Sequence, residues 1–348
     1  MADAAIPKTM RAWTVAKNGA PGDALLLKSD APVPSPIKSA NILIKVTHAA
    51  LNPADLNFMS TLPNWLPFRR NPTVGLDFAG EVVQLGSSVS DLSVGSQVAG
   101  ALNVMSVAVG RGSLAEYVEV PASKVALVPK SLTLRDAPGA LGIAGQTAWL
   151  ILKEAGLKKG DRVLVNGASG GVGSVLVQVA KAKGAVVYGV CSGGNAEFVK
   201  GLGADEVIDY KAHDSLTTYL SETFSESSKA FQGVFDCVGS DELFRKCAGY
   251  LDKTGVFITI VGGVGAGPIA RSKLLPVALG GVPRKYKLLA LWPDGVIAKE
   301  VAKWVEDGYF TQFPMDSEYS MEDAIKGYER VASKRSRGKV VVKVSEQH

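Results

Sequence analysis

Three cysteines and three histidines among 348 residues leave little material for a metal centre or a disulfide framework. Cys191, Cys237 and Cys247 are odd in number and form no CxxC pair, so disulfide stapling is not expected. A catalytic zinc takes about three protein ligands and a structural one about four, mostly Cys and His. Before residue 191 the chain offers only His48, and no metal is expected. Cys191 and Cys237 each close a Val-rich run and read as buried small hydrophobes. Long apolar runs are also missing: the stretch Leu141 to Leu152 is interrupted by Gly142, Gly145, Gln146 and Thr147, so no transmembrane helix and no membrane partner are expected. The opening Met1 to Pro7 lacks the layout of a secretory signal or a transit peptide, and the expected location is the cytoplasm. A strong charge imbalance is missing too, with 38 Lys+Arg against 33 Asp+Glu. The single compact basic run, Lys334 to Lys339, has no interleaved aromatics, so nucleic acid is not an expected partner. At 47% hydrophobic and 20% charged residues, the composition is that of an ordered protein.

The chain reads in two styles. From about Met10 to Leu132, short strands alternate with Gly and Pro: Arg11 to Ala16, Asn41 to Ala49, Gly75 to Leu85, Gln97 to Leu102 and Leu114 to Val120. This spacing predicts a compact β body. From about Leu134, apolar runs such as Arg162 to Asn166, Ala185 to Val190, Val207 to Tyr210, Gly233 to Cys237 and Val256 to Val261 alternate with helical segments. That alternation predicts a parallel sheet with crossover helices. A helix from Asp294 through Trp304, another from Met321 to Ala332 and a strand from Lys339 to Val344 complete the pattern. The expected division is residues 1–133 with 305–348 as one domain and 134–304 as the other. His48 lies in an alternating strand and reads as a satisfied core or rim histidine.

The strongest motif is Val163 to Ser174, a strand that ends in glycines and opens directly into a helix. A dinucleotide pyrophosphate needs free backbone N–H groups and the positive end of a helix dipole, and side chains at the turn would block its approach. Gly170, Gly171 and Gly173 supply that clearance, with Ser169 and Val172 beside them. Ala168 replaces the first glycine of the usual pattern, which is tolerable if that position needs no positive φ, while Gly167 relaxes the turn. The second strand ends in Cys191, Ser192, Gly193, Gly194 and Asn195, where an NAD enzyme usually presents a carboxylate to the ribose. Without an acid there, and with Ser192 able to donate a hydrogen bond, NADPH is the expected cofactor. The turn holds no Arg or Lys, so the positive partner must come from elsewhere, such as Lys200, Lys211 or the run near Arg337.

These glycines, together with Leu202 to Asp205, Val207 to Tyr210, Phe235 to Gly239, Leu51 to Asp55 and Pro72 to Gly80, resemble the medium-chain dehydrogenase/reductase superfamily. The N-terminal motifs look like its zinc-independent quinone oxidoreductase and enoyl reductase branch. The resemblance implies an α/β protein, with a GroES-like β domain, a Rossmann doubly wound parallel-sheet domain and an active cleft between them. Where the zinc alcohol dehydrogenases of this superfamily place a ligand Cys and a His-Glu pair, this chain has the neighbourhood of Asn52 and the pair Leu76-Asp77.

The branch places Asn52 and Asp55 at the cleft wall as the catalytic candidates. It places Thr147 near the nicotinamide, with a backbone amide around Gly262, and Ser192 and Tyr210 at the adenosine phosphate end. Asn195, Val238 and Lys339 complete the candidate cofactor residues, and Trp65 and Phe68 are candidates for an apolar substrate pocket. Structural roles stand beside these: Asn52 before Pro53 also reads as a helix N-cap, Thr147 as helix packing, Tyr210 as a strand end and Lys339 as a charge on an edge strand. The implied reaction is hydride transfer from NADPH to a quinone, enone or enoyl ester, with Asn52, a backbone amide near Gly262 or a cofactor hydroxyl as donor to the developing oxyanion. Fatty enoyl reductases of this branch carry a proton-donating tyrosine a few residues after the Asn-Pro motif. Phe58 to Pro63 has none, and water is the remaining source. The alternative is a cofactor-binding accessory protein, such as a trans-acting enoyl reductase partner of a synthase, with little activity alone. The branch also implies a homodimer joined at sheet edges, with Lys287 to Leu291 as the candidate edge.

Overall fold

The computed structural model describes residues 6–61, 72–260 and 281–346. The candidates Trp65, Phe68 and Gly262 lie outside them. The chain divides into two compact units. The first comprises Met1–Gln146, Trp292–Asp307 and Phe313–His348, and the second Thr147–Leu291 and Gly308–Gln312.

In the first unit, β1 (Thr9–Val15) pairs antiparallel with β2 (Leu25–Pro32). A seven-stranded sheet takes the order β14-β15-β3-β4-β5-β7, with β6 also paired to β3. Its strands are β3 (Asn41–Leu51), β4 (Asp77–Leu85), β5 (Gln97–Ala101), β6 (Tyr117–Pro121), β7 (Val125–Leu127), β14 (Met315–Ser320) and β15 (Lys339–Lys343). The core gathers Ile42, Ile44, Val46, Phe78, Val82, Val98, Val118 and Val342 from the sheet interior, with Trp13 and Tyr328. Around the sheet lie α1 (Pro21–Ala24), α2 (Pro53–Thr61), α3 (Val104–Ala108) and α4 (Ala137–Leu141).

In the second unit, α5 (Ile143–Ala155) enters across the boundary at Gln146 and Thr147. Six parallel strands follow: β8 (Arg162–Asn166), β9 (Val186–Cys191), β10 (Glu206–Asp209), β11 (Phe231–Asp236), β12 (Leu251–Thr259) and β13 (Lys285–Leu288). Their order, β10-β9-β8-β11-β12-β13, is that of a doubly wound dinucleotide-binding sheet. The connections include α6 (Gly171–Ala182), α7 (Ala196–Gly201), α8 (Leu216–Phe224) and α9 (Asp241–Lys246).

The units divide differently from the sequence boundaries at 133 and 304. Residues 137–141 are wholly buried against β4 and β5, and α10 (Gly295–Glu306) packs on β7 through a face that includes Ala298, Val301 and Val305. Both therefore belong to the first unit. Strands β2 and β14 carry no regular apolar alternation, since LLLKSDAP and MDSEYS are held by pairing rather than by a buried face. The candidate edge is shorter and earlier than expected, at Lys285–Leu288, and it is the outer strand of its sheet. Lys339 is not on an edge, because β15 runs between β14 and β3. The last helix, α11 (Ala324–Ala332), packs on α2.

In the second unit, Gln178 holds the returning segment. Its Oε1 accepts from the amides of Thr311 (3.3 Å) and Gln312 (2.9 Å), and its Nε2 donates to Gln312 O at 2.9 Å.

Candidate active site

The glycine turn of the second unit follows directly from what its backbone must do. Strand β8 is buried, and Gly167 leaves it at φ +81°, a conformation that costs a side chain dearly. Ala168 is wholly buried and has no positive φ, so the missing first glycine needs no compensation beyond Gly167. A Cβ on Gly173 would stand 2.2 Å from Gly167 O and 2.8 Å from Ala168 Cα, so only glycine lets α6 pack this closely on the turn. A Cβ on Gly170 would meet nothing nearer than Gly167 O at 3.4 Å. Gly170 is the N-cap of α6 and supplies no side-chain cap. The amides of Gly171, Val172 and Gly173 occupy the first helical turn, where no intrahelical acceptor exists. Together they form a positively polarised cradle with the chemistry a pyrophosphate requires. The residues present fit a dinucleotide.

The rim of this cradle is tied together by side chains. Asn195 Nδ2 donates to Ser169 Oγ at 3.1 Å, joining the turn after β9 to the glycine turn. Asp236, at the end of β11, accepts from Asn166 Nδ2 (2.9 Å) and from the amides of Val238 (3.0 Å), Gly239 (3.1 Å) and Ser240 (2.7 Å). It thereby shapes the loop that exposes Val238. Sequence reading used Asp236 only as part of a motif. Its role rests on the in-register pairing of the two strand ends, Asn166 and Asp236, which only the folded sheet brings together. Thr147 is buried on α5. Tyr210 is half-exposed just beyond β10, with its amide on Cys191 O at 3.2 Å. The turn after β9 has an acidic neighbour that its own residues do not reveal: Asp209 Oδ2 stands 2.4 Å from where a Cβ on Gly193 would be. Burial pushes the Cys191 thiol up to about 11 and that of Cys247 up to about 12, and also raises Cys237, so all three are poor nucleophiles.

Replacing Gly173 by alanine should cost about 1–3 kcal/mol of packing and weaken nicotinamide dinucleotide binding in a fluorescence titration. Gly201→Ala, outside the cradle and with nothing within 4 Å of the new methyl, should leave affinity within about twofold. Equal affinities for both variants would contradict the cradle.

In the first unit, the two catalytic candidates lie in a buried polar cluster. Asn52 precedes Pro53, the first residue of α2, as the capping reading expects. The cap, however, is closed by Asp55, whose Oδ2 accepts the Asn52 amide at 2.9 Å. The Asn52 side chain points elsewhere: its Nδ2 donates to Asp77 Oδ2 at 2.9 Å and Ala50 O at 3.2 Å. Its Oδ1 accepts from Lys339 Nζ at 2.8 Å. Both amide protons are therefore engaged, and Asn52 has no donor left for a substrate oxyanion. The Lys339 ammonium is equally committed, donating also to Leu51 O (3.1 Å) and Asp77 Oδ2 (3.2 Å). Among the described residues, Lys339 thus ties β15 to the end of β3 and to β4. Asp77, 0% exposed, uses its other oxygen to accept the Ile143 amide (2.7 Å) at the start of α5. Burial raises its pKa, opposed first by the Lys339 charge.

Asp55 is 1% exposed. Desolvation pushes its pKa up to about 7; the Asn52 amide and Lys339 pull it down, while Asp77 adds to the rise. Its Oδ1 and the Tyr328 hydroxyl are both buried without a hydrogen-bond partner among the described residues. His48 is less satisfied than expected: Nε2 lies 3.6 Å from Glu318 Oε1, while Nδ1 is buried with no partner there. Burial lowers its pKa and favours the neutral ring.

Among the described residues, no group of three or more His, Cys, Asp or Glu is placed to hold a metal, and no helix is long and apolar enough to cross a membrane. At Asp77 the neighbouring charge is an ammonium, which does not fit a zinc site.

Two family models match: an alcohol dehydrogenase GroES-like domain over residues 38–130 and a zinc-binding dehydrogenase domain over residues 202–342. The medium chain reductase pydE of Acremonium sp is 33% identical over 97% of this chain and 99% of its own length. The chloroplastic NADPH-dependent alkenal/one oxidoreductase of Arabidopsis thaliana is 36% identical over 76% of this chain and 65% of its own length. The quinone oxidoreductase from Coxiella burnetii superimposes with a TM-score of 0.82 at 27% identity, covering 97% of this chain and 99% of that one. With the doubly wound sheet, the glycine cradle and full-length similarity in agreement, the chain belongs to the medium-chain dehydrogenase/reductase superfamily, in its quinone oxidoreductase and enoyl reductase-like branch.

Proposed function

We propose that the protein is an NADPH-dependent oxidoreductase that reduces a conjugated acceptor, a quinone or the C=C of an enone or enoyl ester, without zinc. The observation that carries this reading is the cradle at the head of α6, where Gly170 leaves open space beside the first-turn amides and Gly173 lets the helix pack closely on the turn. Gly171, Val172 and Gly173 would hold the phosphates, with Ser169 and Asn195 at the rim. Thr147 and Val238 belong to the nicotinamide end, Ser192 and Tyr210 to the adenosine end. The cofactor, when bound, supplies the hydride. The similarity to an enzyme named as an NADPH-dependent alkenal/one oxidoreductase supports the cofactor and the acceptor class. An acceptor conjugated to a carbonyl is already electrophilic and needs no Lewis acid. Asn52, Asp77 and Lys339 act by fixing the backbone at the start of α2, β4 and β15. The helix α2 carries no tyrosine, so the α-carbon proton comes from water.

Initial rates of NADPH oxidation, with NADH in parallel, should show turnover on one class among quinones, enones and enoyl thioesters. Tight cofactor binding with no turnover on any of them would overturn the reductase reading in favour of an accessory role. The molar mass of the same preparation tests the accompanying proposal that two copies join along β13, which a monomeric mass would refute.

A further inference from the structure

Strands β9 and β10 run parallel with Cys191 opposite Asp209. The residues that follow them, Ser192 to Asn195 and Tyr210 to Lys211, therefore emerge side by side at the C-terminal edge of the sheet. The first of these turns has no charged side chain of its own. Ser192 caps the short 3-10 turn Gly193–Asn195 without a side-chain hydrogen bond, so its hydroxyl is not spent on the turn. Gly194 has nothing within 4 Å of where a Cβ would stand.

The charge comes from the neighbouring strand. Asp209 Oδ1 accepts the Lys211 amide at 2.9 Å, which fixes the carboxylate in place. Its Oδ2 then lies 2.4 Å from where a Cβ on Gly193 would stand, so Gly193 is the residue that makes room for it. The nearby cation, Lys211, has its Nζ 6.0 Å from the centroid of the half-exposed Tyr210 ring.

We propose that Asp209 is a specificity-determining residue for the nicotinamide cofactor: its carboxylate, lodged against the turn 192–194, narrows the preference for a phosphorylated adenosine ribose and lets NADH compete. The inference rests on the reductase reading above and refines its cofactor. A ribose phosphate brings a charge near −2 to a turn that already borders a carboxylate, and the two repel across a few ångströms. An unphosphorylated ribose brings only hydroxyl donors, to which a carboxylate is an acceptor. Ser192 can serve either ribose, whereas the Asp209 carboxylate repels only the phosphorylated one.

Asp209→Asn removes the charge while its amide oxygen still accepts from Lys211. Asp209→Ser provides a shorter acceptor should the amide disturb the turn. Dissociation constants for NADPH and NADH are to be measured by cofactor fluorescence, without acceptor, at low salt. Either variant is expected to tighten NADPH by roughly three- to tenfold while leaving NADH within about twofold. The gain should shrink in 0.5 M salt, about where screening falls to a few ångströms. A ratio of the two constants unchanged in both variants would overturn the role of Asp209 alone. Failure of the unaltered protein to bind either cofactor would overturn the reductase reading, and this inference with it.

Discussion

Replacing Lys339 by methionine is expected to lower the unfolding free energy of the first unit by about 3–5 kcal/mol, because it strands a buried carboxylate. Asp77 is 0% exposed, and the ammonium lies 3.2 Å from its Oδ2. The same substitution leaves Asn52 Oδ1 and Leu51 O without their donor. The double variant Lys339→Met with Asp77→Asn should recover much of the loss, since an apolar side chain beside a neutral amide carries no buried charge. Lys326→Met, which breaks an exposed pair with Asp323, should leave the urea midpoint essentially unchanged. Urea unfolding followed by tryptophan emission is a suitable measurement, because Trp13, Trp292 and Trp304 all lie in the first unit. A loss below about 1 kcal/mol for Lys339→Met would show that the cluster is not an anchor.

The second large effect concerns Asp55. Its pKa in the folded chain is about 7 against an ordinary 3.8. Between those values the folded protein holds a proton that the unfolded chain has released. Stability therefore falls as pH rises from about 4 to about 7 and levels off above. Three units at about 1.4 kcal/mol each give a decline of about 4 kcal/mol. Asp55→Asn keeps an acceptor for the Asn52 amide but cannot ionise. The difference in unfolding free energy between the two proteins should change by about this amount between pH 4 and pH 8, in favour of asparagine at the higher pH. Parallel curves for the two proteins would show that Asp55 does not titrate in this range.

What sequence makes legible here is what a local stretch of chain can dictate. The glycine turn is readable because Gly167 and Gly173 answer constraints set within a few residues of themselves. That the second unit's sheet is parallel follows from regular alternation with helices. The polar cluster is different: Asn52 lies 25 residues from Asp77 and 287 from Lys339, so no window of sequence contains it. Motifs pointed to Asn52 and Asp77 separately, and only folding shows that they satisfy each other. Asp55 was singled out as a chemical group, yet its carboxylate closes a helix start inside the protein. The acid at the cofactor turn was missed for the same physical reason. The turn after β9 holds none, and Asp209 arrives from the adjacent strand. Strand β14 escaped notice because its partner supplies the order that its own composition does not.

The central position of β15 also governs the order in which the molecule can assemble. Lys339 meets Leu51 across a separation of 288 residues, and the whole second unit intervenes. As the chain is synthesised, β3 emerges early; β6 pairs with residues 41–45, but residues 48–51 must wait without a partner on that side until β15 arrives. The parallel sheet of the second unit, by contrast, has all six strands available by Leu288. The usual rule that the N-terminal part folds first is thus reversed for the finished β sheet. During synthesis the exposed flank of β3 is the surface most in need of protection from wrong partners.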